Sequence, residues 1–316
     1  MIDENKISCS MVIPVFNEEE VLLELYKRLT TVMEKLNEKY EIIFVDDGSK
    51  DKSFEILKKL CQQDKRLKII RFSRNFGHHI AVTAGLDYAG GNTIVLMDAD
   101  LQDPPEEIPK LYKKFKEGYD IVYAIRKTRN DSFFKKLFSK LFYKIFKLVS
   151  KVEIPPNIGI FRIISKQVVN NLKKCREKSR FVIALIGWTG FSSIGVETNR
   201  DERYAGKSKY NFLKSTKLAI DSIVSFSSFP LHLISILGFL VAAFSFVIGI
   251  YMLIKKIFFG MPVSGYASLI ISLYFLGGIQ LIIIGIIGEY IGRIYSETQN
   301  RPLYIIKEEI GFNENK

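Results

Sequence analysis

Apolar residues in the first part of the chain fall into short runs that recur at regular intervals: Met11–Val15, Glu41–Val45, Leu67–Phe72, Thr93–Met97 and Asp120–Ala124. Between the first two runs, Val21, Leu22, Leu25, Leu29, Val32, Met33 and Leu36 repeat with the period of an amphipathic helix. Short extended runs alternating with helices predict repeated βαβ units and a mainly parallel sheet. In such sheets ligands sit beyond the carboxyl ends of the strands. The residues just after each run are therefore the ones expected to carry function.

Beyond Asp131 the pattern changes. Over about 132–150, Lys136, Lys140, Lys144 and Lys147 share one helical face, while Phe134, Leu137, Phe138, Leu141 and Ile145 cover another. This is the pattern of a helix lying in a membrane interface, although a core helix with a solvated lysine face has the same period. A Pro-Pro-Asn-Ile-Gly-Ile-Phe-Arg segment, Pro155–Arg162, separates it from a helix expected over Ser165–Cys175.

From Leu231 to Gly288 the only charged residues are Lys255 and Lys256, which split the stretch into two uncharged runs. Each is long enough to cross about 30 Å of hydrocarbon. The expected organisation is thus an α/β domain over 1–210, an interfacial helix over 211–230, two membrane spans near 231–254 and 266–287 within 231–288, and a tail over 289–316. Basic residues before the first span (Lys207, Lys209, Lys214, Lys217) and after the second (Arg293, Arg301, Lys307) put both ends in the cytoplasm. Lys255 and Lys256, in the short loop between the spans, weigh mildly against this.

Charge refines the picture. An excess of 46 Lys+Arg over 34 Asp+Glu gives +12, compatible with nucleic acid, anionic lipid or phosphorylated substrates. The basic residues cluster in aromatic amphipathic stretches, which favours lipid, and no nucleic-acid module is visible. Three cysteines, Cys9, Cys61 and Cys175, are widely spaced and odd in number, so no disulfide framework is expected. The polar start, MIDENKISCS, does not read as a signal peptide, so the α/β domain is expected to stay in the cytoplasm.

Candidate chemistry sits after the strands. The first run ends in Ile-Pro-Val-Phe-Asn-Glu-Glu-Glu from Ile13, the second in Val-Asp-Asp-Gly-Ser-Lys-Asp from Val45, and the fourth in Met-Asp-Ala-Asp-Leu-Gln-Asp-Pro-Pro from Met97. Asp46 and Asp47 could accept hydrogen bonds from a uracil ring or ribose, although Asp-Asp-Gly-Ser is also an ordinary turn with a helix cap. Asp98, Asp100 and Gln102 are hard oxygen donors suited to Mg²⁺ or Mn²⁺. His78 and His79 read as ordinary helix-start residues ahead of a pocket-lining role, and the single tryptophan, Trp188, reads as core or interface ahead of a sugar-stacking platform.

The order IPVFNEEE, VDDGSKD, SRNFGHHIAVTAGLDYA, MDADLQDPP, RYAGKSKYN and GEYIGRIYSETQNRPLYII resembles the family 2 glycosyltransferases that load polyprenyl phosphate, the bactoprenol glucosyltransferases. Over the soluble part it is similar also to dolichol-phosphate mannose synthase. The resemblance implies a GT-A-type nucleotide-sugar-binding fold and inverting transfer of a single sugar, with a divalent metal, Mg²⁺ or Mn²⁺. It implies Pro14, Glu18, Asp46, Asp47 and Asp98 as nucleotide-sugar contacts, with Ser73, Arg74 and Asn75 lining the same pocket. Asp98, Asp100 and Gln102 would hold the metal, and Arg126, Lys135 and Ser139 the acceptor phosphate. Asp100, Arg203 and Lys207 would serve catalysis, the last two in a segment closing over the donor phosphates.

The implied donor is UDP-glucose or UDP-N-acetylglucosamine, and the implied acceptor is undecaprenyl phosphate in the bacterial plasma membrane. The lipid-linked sugar would feed cell-surface glycan modification. A homo-oligomer, up to a tetramer, is implied by analogy, and no nucleic-acid partner is expected. One departure stands out: many relatives carry Asp, a proposed catalytic base, where this chain has Ile160. Two alternatives compete with this reading. A processive polysaccharide synthase is disfavoured because no Gln-x-x-Arg-Trp motif occurs and two spans are too few for a channel. A non-catalytic scaffold is favoured by Ile160 and opposed by the intact Asp-Ala-Asp-Leu-Gln run.

Overall fold

The structure, a computed structural model, describes residues 7–126, 155, 158–201, 229–259 and 265–312. The chain divides into two compact units, one of Met1–Ser215 with Arg301–Lys316 and the other of Thr216–Asn300.

In the first unit the strands are β1 (Cys9–Val15), β2 (Tyr40–Asp46), β3 (Leu67–Phe72), β4 (Thr93–Leu96), β5 (Ile121–Arg126), β6 (Ile158–Ser165), β7 (Ser193–Thr198) and β8 (Ile306–Ile310). Its helices are α1 (Leu22–Leu36), α2 (Ser53–Gln63), α3 (His78–Tyr88), α4 (Ile108–Lys116), α5 (Lys166–Leu172) and α6 (Val182–Trp188), with a 3₁₀ turn at Pro105–Glu107. The strands form one sheet in the order β7-β5-β6-β4-β1-β2-β3-β8.

The block β4-β1-β2-β3 is parallel throughout, as the alternation of runs and helices predicted. β1 and β2 are buried along their whole length, because helices cover both faces, and so they read as unbroken apolar runs. α1 buries Leu22, Leu25, Leu29 and Met33 and ends where Asn37 turns left-handed at φ 52°. α3 lies close on the sheet because Gly85 has no side chain: a Cβ there would stand 2.2 Å from Val12 Cγ1.

Beyond this block the sheet is mixed. The Asp120–Ala124 run becomes β5, which does not touch β4; β6 lies between them, antiparallel to both, and β7 pairs parallel with β5. β6 occupies most of the Pro155–Arg162 segment, and the helix expected from Ser165 to Cys175 is the shorter α5. The other edge is closed by β8, which pairs antiparallel with β3. Part of the expected tail over 289–316 is therefore sheet. Its alternating half-buried and exposed positions, Ile-Lys-Glu-Glu-Ile, mark a strand with one covered face.

The second unit holds α7 (Phe229–Phe259) and α8 (Tyr266–Thr298). Both exceed the spans expected from sequence, and both are long and apolar enough to cross a membrane, with mean hydropathy 2.6 and 1.8 over an 18-residue stretch within Phe229–Phe258 and Ser272–Thr298 respectively. Large apolar side chains such as Phe239, Phe244, Tyr274 and Leu281 are about three-quarters exposed, which suits contact with lipid rather than water. The amphipathic helices expected over about 132–150 and 211–230 fall outside the described residues, apart from Phe229 and Pro230, which begin α7.

The close approach of α3 to β1 makes a stability prediction. Gly85→Ala forces a methyl group into Val12, and overpacking of this kind costs about 1–3 kcal/mol. A lower melting temperature is expected in thermal unfolding of the detergent-solubilised protein. An unchanged value would mean that α3 shifts without cost.

Candidate functional site

A cleft of about 270 Å³ opens at the carboxyl ends of β1, β2 and β4 and is bordered by the turn between β3 and α3. Six of the residues expected from sequence line it: Pro14, Glu18, Asp47, Asn75, Asp98 and Asp100. The parallel block brings them together, because its strands all end at one edge.

Reciprocal hydrogen bonds join the first two loops. Asn17 N–H donates to Ser49 Oγ at 3.0 Å, and Lys50 N–H donates back to Asn17 Oδ1 at 2.8 Å. Glu18 N–H reaches Ser53 Oγ at 2.9 Å. Asn17 itself sits at φ 53°, a left-handed conformation that asparagine tolerates better than most residues.

The adjacent acids Asp46 and Asp47 part company. Asp46, fully buried, accepts the Ser49 N–H at 3.0 Å and stands 3.4 Å from Arg71 Nε, away from the cleft. Asp47 lines the cleft and accepts two backbone donors, Phe76 N–H at 2.6 Å and Gly77 N–H at 2.9 Å. Burial raises both carboxyls above the usual carboxylate range, and these hydrogen bonds pull each part of the way back. Gly48, at φ 69°, fits because a Cβ would stand 2.6 Å from the Arg74 carbonyl carbon.

After β4, Asp98 and Asp100 face the cleft. Leu101 anchors the turn, 1% exposed and left-handed at φ 57°, a strained state for a bulky side chain of the sort that collects at functional sites. Gln102 N–H donates to Asp100 Oδ1 at 3.2 Å. Gln102 is engaged elsewhere: its side-chain Oε1 accepts from Arg200 Nη2, and its backbone carbonyl accepts Asp201 N–H at 3.0 Å. It does not line the cleft.

Ser73 and Arg74 do not line it either. Ser73 N–H donates to Ile305 O at 3.0 Å, and the Arg74 guanidinium lies 4.1 Å from the Phe76 ring centroid. Arg126 is the last residue of β5. Lys135, Ser139, Arg203 and Lys207 lie outside the described residues.

His78 is the residue for which sequence reasoning ranked the pocket-lining role second, and the structure reverses that order. It starts α3, lines the cleft, and holds Nε2 3.5 Å from Asp98 Oδ1. The signal was its place just after a glycine turn beyond the third run, at a helix start on the ligand-binding edge. Ile160 is 3% exposed within β6, so no proton acceptor stands at that position, and Trp188 is 62% exposed rather than in the core.

Among the described residues no cluster of three or more His, Cys, Asp and Glu could hold a metal by itself. Two cleft carboxylates nevertheless fit a hard divalent cation, since Mg²⁺ usually takes one or two carboxylates and completes its shell with water and substrate phosphates.

Comparisons with known proteins agree with this architecture. Residues 10–173 match the model of glycosyl transferase family 2. The chain is 48% identical over 311 residues, 98% of this chain and 96% of the relative, to the uncharacterized glycosyltransferase YkcC of Bacillus subtilis (strain 168). It is 45% identical to the SfII prophage-derived bactoprenol glucosyl transferase of Shigella flexneri, over 95% of this chain and 97% of that one. It is 44% identical to the prophage bactoprenol glucosyl transferase homolog of Escherichia coli (strain K12), over 94% and 98%. The family model spans the parallel block, the cleft acids and β6, and the relatives extend the match through both apolar helices. With this fold and these matches, the chain is a glycosyltransferase of family 2, built on a GT-A-type domain.

Proposed function

We propose that the protein transfers a single sugar from a UDP-sugar to polyprenyl phosphate, with undecaprenyl phosphate as acceptor and glucose as the first choice of sugar ahead of N-acetylglucosamine. The observation that carries this reading is the pairing, in one family 2 chain, of an acidic cleft at Asp98 and Asp100 with two long apolar helices that are not buried within the protein. Relatives named bactoprenol glucosyl transferase, matched over nearly their whole length, support the choice of lipid and sugar.

In this reading Pro14, Glu18, Asp47 and Asn75 hold the nucleotide end of the donor, and Asp98 and Asp100 hold Mg²⁺ or Mn²⁺. Gln102 joins them only if it leaves Arg200. A bound divalent ion would neutralise the diphosphate as it leaves. Arg126, Lys135 and Ser139 are assigned to the acceptor phosphate, and Arg203 and Lys207 to the donor phosphates.

An acceptor phosphate oxygen attacks the anomeric carbon, the bond from that carbon to the diphosphate breaks, and UDP departs with the electron pair. The anomeric centre inverts. No base is required at Ile160, because a phosphate monoester with a second pKa of about 6 is already ionised at neutral pH. Positioning and electrostatics then carry the rate.

Chain connectivity supports a hairpin with both ends in the cytoplasm. The first unit contains residues on both sides of the helical pair in sequence, which supports two helices that leave and return on one side of the membrane. The basic residues flanking them favour the cytoplasmic side. Assembly into a homo-oligomer, up to a tetramer, completes the proposal.

The direct test offers purified protein undecaprenyl phosphate, Mg²⁺ or Mn²⁺, and UDP-glucose, UDP-N-acetylglucosamine or GDP-mannose. A single-sugar glycolipid from a UDP-sugar is expected; a polymer, or no glycolipid from any donor, defeats the proposal. Asp100→Ala should cost at least a hundredfold in turnover at an unchanged melting temperature, and retained activity would remove Asp100 from the metal site. Asp47→Asn puts an amide NH₂ against one of two buried N–H donors, which costs about 1–3 kcal/mol. It should loosen the turn at Phe76 and Gly77, seen as at least tenfold weaker UDP binding in calorimetry.

Ile160 favours one rival, a scaffold that kept the fold without the chemistry. Metal-dependent UDP affinity in the same calorimetry would count against it.

A further inference from the structure

Arg162 is out of place as a charge. It sits within β6, 2% exposed, and its guanidinium meets carbonyl oxygens of its own strand: Nε–H donates to Ile160 O at 3.2 Å and Nη2–H to Gly159 O at 2.6 Å. Among the described residues no carboxylate pairs with it. Other buried charges have partners: Glu41 stands 2.6 Å from Lys68 Nζ, and Asp64 2.8 Å from Arg66. The two carbonyls need donors, but a neutral amide could supply those at a far smaller desolvation cost. The charge itself is what lacks a counterpart.

A second orphan adjoins it. His79 is half-buried, yet its Nδ1 is buried without a hydrogen-bond partner among the described residues, and Phe181 meets the ring edge-on at 5.3 Å. Burial, followed by the positive fields of His78, Arg162 and Arg180, pushes this imidazole down to about 3, so it is neutral at physiological pH. Burial likewise pushes Arg162 down to about 10, which leaves it charged. The net positive field behind this wall therefore comes from the arginines. Arg180 has an acidic neighbour, with Glu177 3.9 Å away, and Arg162 does not.

Both groups lie just behind the cleft. His79 is next in the chain to the cleft residue His78, and Arg162 is the register partner of Leu96, two positions before Asp98. Partnered Cα atoms in an antiparallel pair are about 5 Å apart. The described cleft wall itself is acidic, with Glu18, Asp47, Asp98 and Asp100. An uncompensated buried charge is destabilising, and such costs persist where function needs them.

We infer that Arg162 is the counter-charge for a phosphoryl group bound in the cleft: a positioning residue that acts through its field without touching the substrate. The inference rests on the proposed function, since it takes the cleft to receive phosphorylated substrates. The phosphoryl group belongs either to the donor's diphosphate or to the acceptor's monophosphate. A unit charge on the order of 10 Å from an anion, at an effective dielectric of about 20, changes binding by about tenfold.

The test compares Arg162→Met and Arg162→Lys in the full chain by melting temperature, calorimetric UDP affinity with Mn²⁺, and KM for undecaprenyl phosphate. The Met variant should melt close to the wild-type temperature, because removal of an unpaired buried charge offsets the loss of donors to the Gly159 and Ile160 carbonyls. It should also bind UDP about tenfold more weakly, which assigns the field to the donor, or show about a tenfold higher acceptor KM at unchanged UDP affinity, which assigns it to the acceptor. The Lys variant should recover most of the loss. The inference is overturned if the Met variant handles both substrates as the wild type does, if it melts far below the wild type or fails to fold, marking Arg162 as a strand cap only, or if Lys does no better than Met. Wild-type protein that binds no UDP sinks the proposed function itself, and this inference with it.

Discussion

The Asp47 carboxylate accepts the Phe76 N–H at 2.6 Å and the Gly77 N–H at 2.9 Å, and these two bonds tie the end of β2 to the turn after β3. Much of the cleft's geometry depends on that tie. It holds Asn75 and Gly77 against the cleft and sets where α3 begins, and with it the position of His78 beside Asp98. Gly48 lets the two turns approach closely enough for the bonds to form. A buried carboxylate with both oxygens satisfied by backbone is rigid, so the cleft is shaped before any ligand arrives.

The parallel block was legible in the sequence because its central strands are buried on both faces and its helices are amphipathic; period alone separates the two. The outer strands were not. β6 carries a buried arginine in an apolar run, β7 is a short edge strand rich in small and polar residues, and β8 is five residues drawn from beyond the apolar helices. Each owes its place to pairing with a strand distant in sequence, which no local pattern encodes.

The site was legible to the level of the loop but not of the side chain. Asp46 and Asp47 are neighbours, yet the first ends a strand and turns toward Arg71, while the second lies in the turn and faces the cleft. Successive side chains at a strand end point to opposite faces, and only the fold says which face is open. Gln102 shows a different limit, since its amide is engaged by Arg200 from a segment nearly a hundred positions away. The acids of Asp-Ala-Asp needed no such information, because a strand in a parallel sheet delivers the residues at its carboxyl end to the ligand edge.

Completion of the sheet by β8 has a consequence for biosynthesis. β3 presents its free edge from the moment the α/β domain emerges, but the strand that covers it comes after both apolar helices in the chain. At elongation rates of about 5–20 residues per second, that edge stays open for roughly 5–20 seconds. An unpaired edge is an invitation to wrong partners. The nascent protein is thus closed against misassembly only after both of its long apolar helices have been synthesised.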